Sequence, residues 1–188
     1  MGSLRDKNRE RTSVEIHKAA ERLALEHGVQ ETKVEDIAEA AGVSRRTFFN
    51  YYVSKEDAIL GLRAPILTEE ALKQFQENPD HLLNRTVRLI VAVMHSTSVS
   101  GDSVKAWVER KKQFPALMDR FELYAHEAEL LMTPVVAEHL GGDADDAEII
   151  IRLSGGILRY AYGLDPEMKS SSIEKAIEKF INVMGRVK

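Results

Sequence analysis

The sequence contains no cysteine, which excludes disulfide bonds, thiolate metal sites and cysteine nucleophiles. It has no apolar run near the roughly 20 residues that a membrane-spanning helix needs, and no apolar signal-peptide segment near its start. It also lacks an excess of positive charge, because 26 Lys and Arg stand against 30 Asp and Glu, a formal net charge of −4. We therefore expect a soluble, cytoplasmic protein without metal or cofactor, and one that is not basic overall as many nucleic-acid binders are.

Patterns typical of β-strands are missing as well. No sustained two-residue alternation of β-branched side chains occurs, whereas apolar residues recur at helical spacing, as in Ile16, Ala19, Ala20 and Leu23. We therefore predict an all-α protein of about nine helices. The pattern Thr12-x-x-Glu15 is typical of a capping box at the start of the first helix, although this helix could begin as early as Leu4.

Cap residues and prolines divide the rest of the chain into further helices. Capping-box patterns at Thr32 and Ser54 predict the starts of the second and fourth helices, and Ser44 predicts the start of a short third one. The fourth helix should kink or end at Pro65. Asn78-Pro79-Asp80 is typical of a loop, and beyond it we predict five helices at about 83–100, 102–112, 115–140, 144–162 and 172–187.

The segment AGVSRRTFFNYYVSK at 41–55 contains three basic residues, four aromatic residues and no acid. On a helix, Phe48 and Tyr52 share an inner face, while Arg46, Thr47 and Asn50 lie opposite. Gly42 allows a tight turn ahead of them. This is the pattern of a helix-turn-helix, in which the second helix is anchored from behind and presents Arg and Asn to guanine and adenine. The alternative is a helical hairpin with an accidental basic edge.

Residues 32–60 closely resemble the DNA-binding signature of TetR-type bacterial transcriptional regulators, and residues 16–28 resemble the first helix of that domain. The resemblance implies a homodimer that binds a palindromic operator in double-stranded DNA, usually as a repressor, and is nucleoid-associated when bound. Phe49 stands where the family often has tyrosine, and Arg46 where it often has a small residue. The residues implied to contact DNA, with Lys55 at a phosphate, are Lys33, Ser44, Arg45, Arg46, Thr47, Phe49, Asn50, Tyr51 and Lys55.

We predict an N-terminal three-helix helix-turn-helix DNA-binding domain at residues 1–56 and a C-terminal helical ligand-binding and dimerisation domain at residues 57–188. The last two predicted helices have wide apolar faces, and Ser154-Gly155-Gly156 would admit a closely packed helix. The resemblance implies that these two helices form the homodimer; burial within their own domain is the alternative.

The resemblance also implies a small-molecule effector that releases the DNA. We expect its pocket among helices four to eight, and we expect occupancy to move the fourth helix near Pro65. Mixed methionine and aromatic character suggests a largely apolar molecule. The candidate ligand-binding residues, each of which could instead be an ordinary core residue, are Met94, Trp107, Phe114, Met118, Phe121, Tyr124 and Tyr160.

Catalytic patterns are poor. His126-Glu127 begins like the zinc-protease motif, but Leu130 stands in place of the second histidine. Gly155-Gly156 lacks the flanking residues of a phosphate-binding loop. The sequence therefore predicts a protein that is not an enzyme. An all-helical protein-interaction module, or an enzyme, without DNA binding remains the alternative.

Overall fold

The computed structural model describes residues 4–98 and 104–187. In these ranges the chain forms α-helices, two short 3₁₀ turns and no β-strand, with one isolated bridge between Leu62 and Ser98. The all-α prediction is confirmed. The helices are α1 Leu4–His27, α2 Val34–Ala40, α3 Arg45–Phe49, α4 Lys55–Leu60, α5 Glu69–Glu77, α6 Leu82–Thr97, α7 Val104–Gln113, α8 Met118–Ala137, α9 Ala144–Leu164 and α10 Ser170–Met184.

The described residues thus contain ten α-helices where the sequence predicted about nine, and the additional helix is α5. Thr68 caps its start, with its hydroxyl oxygen accepting the amide of Ala71 at 3.1 Å. The helix before it, α4, ends at Leu60 rather than at Pro65, because Gly61 adopts a left-handed conformation with φ of 63°. An irregular segment, residues 61–68, therefore separates two short helices.

Two of the predicted capping boxes are wrong. Thr12 lies inside α1, where its hydroxyl donates to the Asn8 carbonyl at 3.0 Å. Thr32 is buried, and its hydroxyl donates to the carbonyl of Gly28 at 2.8 Å instead of capping α2. Both threonine hydroxyls thus bond a carbonyl four residues earlier, an option that competes with a cap.

The other two predicted caps are confirmed. The Ser44 hydroxyl accepts the amide of Thr47 at 3.0 Å and begins α3. The Ser54 hydroxyl accepts the amide of Asp57 at 3.1 Å and donates to the Asp57 carboxylate at 2.8 Å. Each cap satisfies a backbone donor that a helix start would otherwise leave unpaired.

The apolar core of α1–α4, which we call the head, continues into the helices that follow, α5–α10, which we call the body. Ala58, Ile59 and Leu60 of α4 are buried in the same cluster as Ile16 and Phe48. That cluster also includes Phe114, Leu117, Phe121 and Tyr124, which belong to the body. Apolar packing thus crosses the boundary predicted between residues 56 and 57, and that boundary remains a prediction.

Ion pairs reinforce the contact between head and body. The Arg120 guanidinium of α8 donates to both carboxylate oxygens of Asp57 at 2.6 to 2.9 Å, and Asp57 is only 1% exposed. Arg110 of α7 pairs with Glu21 of α1 at 3.2 Å. A two-bonded arginine–carboxylate pair fixes orientation as well as distance, so α8 is aligned with the start of α4.

Within the body, α9 packs against α6, α8 and α10. Its inner face buries Ala147, Ile151 and Ala161, which join clusters formed by α5, α6, α8 and α10. In the described part of the chain, no helix combines the length and apolar character that crossing a membrane requires.

Candidate nucleic-acid interface

A tight turn sets α3 across α2. Gly42 has a φ of 67°, which glycine adopts without the strain of a side chain, and the amide of Val43 donates to the carbonyl of Ala38 at 2.9 Å. Ile37 and Ala38 of α2 and Phe48 of α3 are buried together. The two short helices therefore pack as the sequence predicted for a helix-turn-helix.

The back of α3 is anchored by aromatic residues. α3 ends at Phe49, earlier than predicted, but the Tyr52 amide still donates to the Phe48 carbonyl at 3.1 Å, which keeps Tyr52 on the inner side. The Tyr52 hydroxyl donates to the carbonyl of Ser13 in α1 at 3.0 Å. Burial raises the pKa of Tyr52 to about 12. Phe48 and Tyr52 thus fix the back of α3 to α1.

The residues predicted to contact DNA lie on α3 and the turns beside it, with Lys33 just before α2 and Lys55 at the start of α4. Most are exposed, while Thr47, Tyr51 and Lys55 are half-buried. The Ser44 and Thr47 hydroxyls bond each other at 2.8 Å. The exposed members of the set are Lys33, Ser44, Arg45, Arg46, Phe49 and Asn50.

Arg45 contacts two neighbouring side chains, Glu35 and Phe49. Its Nε forms an ion pair with the Glu35 carboxylate of α2 at 2.8 Å, and its guanidinium carbon lies 5.1 Å from the centroid of the Phe49 ring. Phe49 in turn meets the buried Phe48 ring edge-on, with 5.3 Å between centroids. Phe49 therefore supports an arginine. Sequence reasoning missed Glu35, because ten residues separate it from Arg45 and only the turn brings them together.

Lys55 has a different role from the one expected. Its ammonium donates to three backbone carbonyls of the turn between α1 and α2: Val29 at 2.8 Å, Gln30 at 3.1 Å and Thr32 at 2.8 Å. An ammonium has three protons, and these bonds use all of them. Lys55 therefore closes a turn inside the head, where we had expected it to reach a phosphate.

Four of the residues predicted to bind ligand lie in one packed core. Phe114, Phe121 and Tyr124 are buried in the core shared by head and body, and half-buried Met118 packs against it. Burial, and then the nearby Asp57 carboxylate, raise the pKa of Tyr124 to about 12. These positions are core residues, which is the alternative that the sequence left open.

The remaining ligand candidates are Met94, Trp107 and Tyr160. Tyr160 is 47% exposed and lines a groove of about 340 Å³ between α9, which is the eighth predicted helix, and α10, the ninth. Met94 is half-buried on α6, and the side chain of Trp107 lies outside the described residues.

A cleft lined by none of the predicted ligand residues lies between α5 and α6, and α6 is the fifth predicted helix. Its volume is about 550 Å³, and its lining includes Phe75, Leu89, Gln74, Arg85 and Arg88. The Arg85 guanidinium lies 5.0 Å from the Phe75 ring centroid and donates to the Phe75 carbonyl at 3.1 Å. One wall of this cleft is α5, the helix that the sequence analysis missed, so the cleft was missed with it.

Comparison with known proteins agrees with this geometry. Residues 16–60, which contain α2, α3 and the turn between them, match the model of bacterial regulatory proteins of the tetR family. The chain is similar to the HTH-type transcriptional regulator TcmR of Streptomyces glaucescens, with 27% identity over 150 residues that cover 76% of this chain and 66% of that protein. It is also similar to the HTH-type transcriptional regulator EthR of Mycolicibacterium smegmatis, with 28% identity over 112 residues that cover 54% of this chain and 52% of that protein.

A third relative matches over nearly its whole length. It is the putative mycofactocin biosynthesis transcriptional regulator MftR of Mycobacterium tuberculosis, with 25% identity over 187 residues that cover 95% of this chain and 92% of that protein. The chain spans about two thirds of TcmR and about half of EthR. The family match thus falls on the helix-turn-helix itself, and residues 16–60 are the part of the chain that matches bacterial regulatory proteins of the tetR family.

Proposed function

We propose that this protein is a homodimeric, DNA-binding transcriptional regulator: a repressor that binds a palindromic operator and is released by a small-molecule effector. The observation that carries the proposal is the exposed, arginine-bearing α3, packed across α2 inside the segment matched to the family. Regulators of this family are not enzymes, so catalysis is not proposed. The cytoplasm, with association to the nucleoid when DNA is bound, is the proposed location.

The proposed DNA contacts come from side chains that are exposed on or beside α3. Arg46 and Asn50 suit base edges, because Arg pairs with guanine O6 and N7 and Asn with adenine N6 and N7. Lys33 and the hydroxyl-bearing side chains Ser44, Thr47 and Tyr51 suit phosphates. Lys55 is removed from the proposed set because its ammonium is engaged within the head.

The proposed dimer uses the outer faces of α9 and α10. Leu153, Tyr160, Ile181 and Met184 are each exposed by 40% or more. A Cβ added at Gly155 or Gly156 would meet no atom within 4 Å beyond the nearby backbone of α9, so no other helix among the described residues packs closely on these glycines. A second copy packed there would explain both the apolar groove and the glycines, since large exposed apolar patches mark interaction surfaces.

The proposed effector site is the cleft between α5 and α6, whose volume is in the range of small-molecule sites. The end of α6 is tied to the segment that follows α4: the Arg63 amide donates to the Thr97 carbonyl at 3.0 Å, and Arg63 also donates to the Ser98 carbonyl. An effector that separates α5 from α6 would therefore displace residues 61–68. In this proposal the displacement reaches α4 and changes the distance between the two α3 helices of the dimer.

A binding assay tests the proposal most directly. Purified protein is titrated against double-stranded DNA from upstream of its own gene at several salt concentrations, and its mass is measured by sedimentation. We expect a dimer, and binding that weakens as salt rises. Arg46→Ala should cost about 1–3 kcal/mol and relax the preference at one base pair. Arg22→Ala, an exposed arginine on α1, is the matched control and should bind like the wild type.

Two results would contradict the proposal. A dimer with no salt-sensitive binding to any tested DNA would favour the protein-interaction module. An equal loss from Arg46→Ala on every DNA sequence would assign Arg46 to a phosphate instead of a base.

A further inference from the structure

The surface around Arg45 carries a carboxylate that does not help DNA binding in general. The Arg45 and Glu35 side chains are 64% and 62% exposed and meet at 2.8 Å. A carboxylate on a surface that faces phosphates is repelled by them, so Glu35 lowers the affinity for DNA of any sequence. Exposed pairs of this kind also contribute little to folding stability. Neither folding stability nor general affinity for DNA therefore accounts for the ion pair between Arg45 and Glu35.

The geometry of the contact supplies one. The Glu35 carboxylate lies nearest to Nε, at 2.8 Å, so this ion pair does not involve the two terminal nitrogens of the Arg45 guanidinium. Those nitrogens form the fork that matches guanine O6 and N7. The Phe49 ring, 5.1 Å from the guanidinium carbon, supports the flat group, and Phe49 itself rests on the buried Phe48. An arginine oriented before binding loses less side-chain freedom when it meets its base.

We propose that Glu35 is a specificity-determining positioning residue, which orients Arg45 to read a guanine and withholds it from phosphates. On a site with guanine in the right place, the fork of Arg45 closes on the base while Nε stays on Glu35. On other DNA, Arg45 stays paired with Glu35, and the carboxylate repels the backbone. Glu35 thus trades affinity for discrimination. The inference rests on the proposed DNA-binding function.

A selection experiment with paired variants tests this role. Binding sequences are selected from one pool of random double-stranded oligonucleotides with each of four proteins. These are the wild type, Glu35→Gln, Arg45→Ala and the double variant. The retained sequences and the unselected pool are then titrated over a range of salt. Glu39→Gln is the matched control, because it makes the same change at another exposed residue of α2. Circular dichroism confirms that each variant keeps its helix content.

We expect Glu35→Gln to bind the unselected pool several-fold more tightly, with a salt slope steeper by about one phosphate contact. Its preference for guanine at one base pair should fall by about fivefold or more. Arg45→Ala should lose the preference at that same base pair, and adding Glu35→Gln to it should change that preference no further. Glu39→Gln should keep the full preference.

Other outcomes would overturn the assignment and separate it from the proposed function. If the wild type selects a sequence and Glu35→Gln selects it equally well, or if Glu39→Gln gives the same loss, Glu35 has no positioning role. If the wild type selects no sequence and shows no salt-sensitive binding, the proposed DNA-binding function fails, and the role of Glu35 fails with it.

Discussion

Single side chains in the head do different work from what their chemistry alone suggests. Lys55 stands next to a basic, aromatic segment and has the charge to hold a phosphate, yet its ammonium bonds three carbonyls of the turn that joins α1 to α2. Phe49, which lacks the hydroxyl of the tyrosine common in the family, supports the guanidinium of Arg45. The role of Lys55 is decided by a turn more than 20 residues earlier in the chain, and that of Phe49 by an arginine one helical turn before it.

Replacing Lys55 should therefore lower stability. Lys55→Ala leaves three carbonyls of the α1–α2 turn without their donor, and bonds to a charged group contribute about 1.5–3 kcal/mol. We expect the free energy of unfolding in urea to fall by about that amount. Lys33→Ala is the control, because Lys33 is exposed at the start of α2, and surface changes usually stay within about 0.5 kcal/mol. Equal stability of the two variants would mean that the turn does not depend on Lys55.

Tyr52 should make the head sensitive to alkaline pH. Burial raises its pKa from 10.0 to about 12, so the folded state favours the neutral phenol. The stability that this contributes is fully present below pH 10 and is lost as the pH rises towards 12, by up to about 1.4 kcal/mol per pH unit. Thermal melts at increasing pH should show the loss, and Tyr52→Phe should show a shallower one. Identical slopes would contradict this role for Tyr52.

At the scale of elements, the main departure from continuous helix in the first half of the chain is the irregular segment between α4 and α5, residues 61–68. Gly61 ends α4 in a left-handed conformation and lies against the ring of His17 in α1, which bonds the Ala58 carbonyl at 2.8 Å. Pro65 then lies in an irregular stretch instead of inside a helix. The short α4 is thus held against α1, and the non-helical backbone between α4 and α5 is limited to residues 61–68.

Gly61 and Gly28 form a matched pair for testing this element. Both have positive φ, 63° and 87°, but a Cβ at Gly61 would lie 2.9 Å from the His17 ring, whereas at Gly28 it would meet nothing within 4 Å. Gly28→Ala should cost the backbone strain alone, about 1–2 kcal/mol. Gly61→Ala should cost about 1–3 kcal/mol more, because the ring must shift. Urea unfolding measures both, and similar losses would mean that His17 moves aside freely.

For the whole molecule, the main feature is the joining of head and body. One apolar cluster extends from α1 to α8, and the buried Asp57 carboxylate binds Arg120 through both oxygens. Asp57 also accepts the Ser54 hydroxyl that caps α4. The start of α4 is therefore tied to the body directly, so a movement of α8 would be transmitted to the head without passing through residues 61–68.

Breaking this connection should be costly. Arg120→Met leaves a buried carboxylate unpaired and should lower the free energy of unfolding by about 3–5 kcal/mol. Adding Asp57→Asn removes the charge and should recover part of the loss. Arg22→Met breaks an exposed pair with Glu26 and should cost under about 1 kcal/mol. Denaturant unfolding curves measure these free energies. If Arg120→Met lowers the free energy of unfolding no more than Arg22→Met does, the buried pair does not stabilise the contact between head and body.

What the sequence by itself determined was local: the helical class, the caps at Ser44 and Ser54, the turn at Gly42, and the inner and outer faces of α3. These follow from spacing and cap chemistry within a few residues. The tertiary structure alone decided that Lys55 faces carbonyls, that Glu35 meets Arg45, that four predicted ligand residues are core, and that a cleft opens beside the unpredicted α5. The physical reason is that a side chain's partner depends on which helices pack together, and the spacing of neighbouring residues along the chain does not reveal that packing.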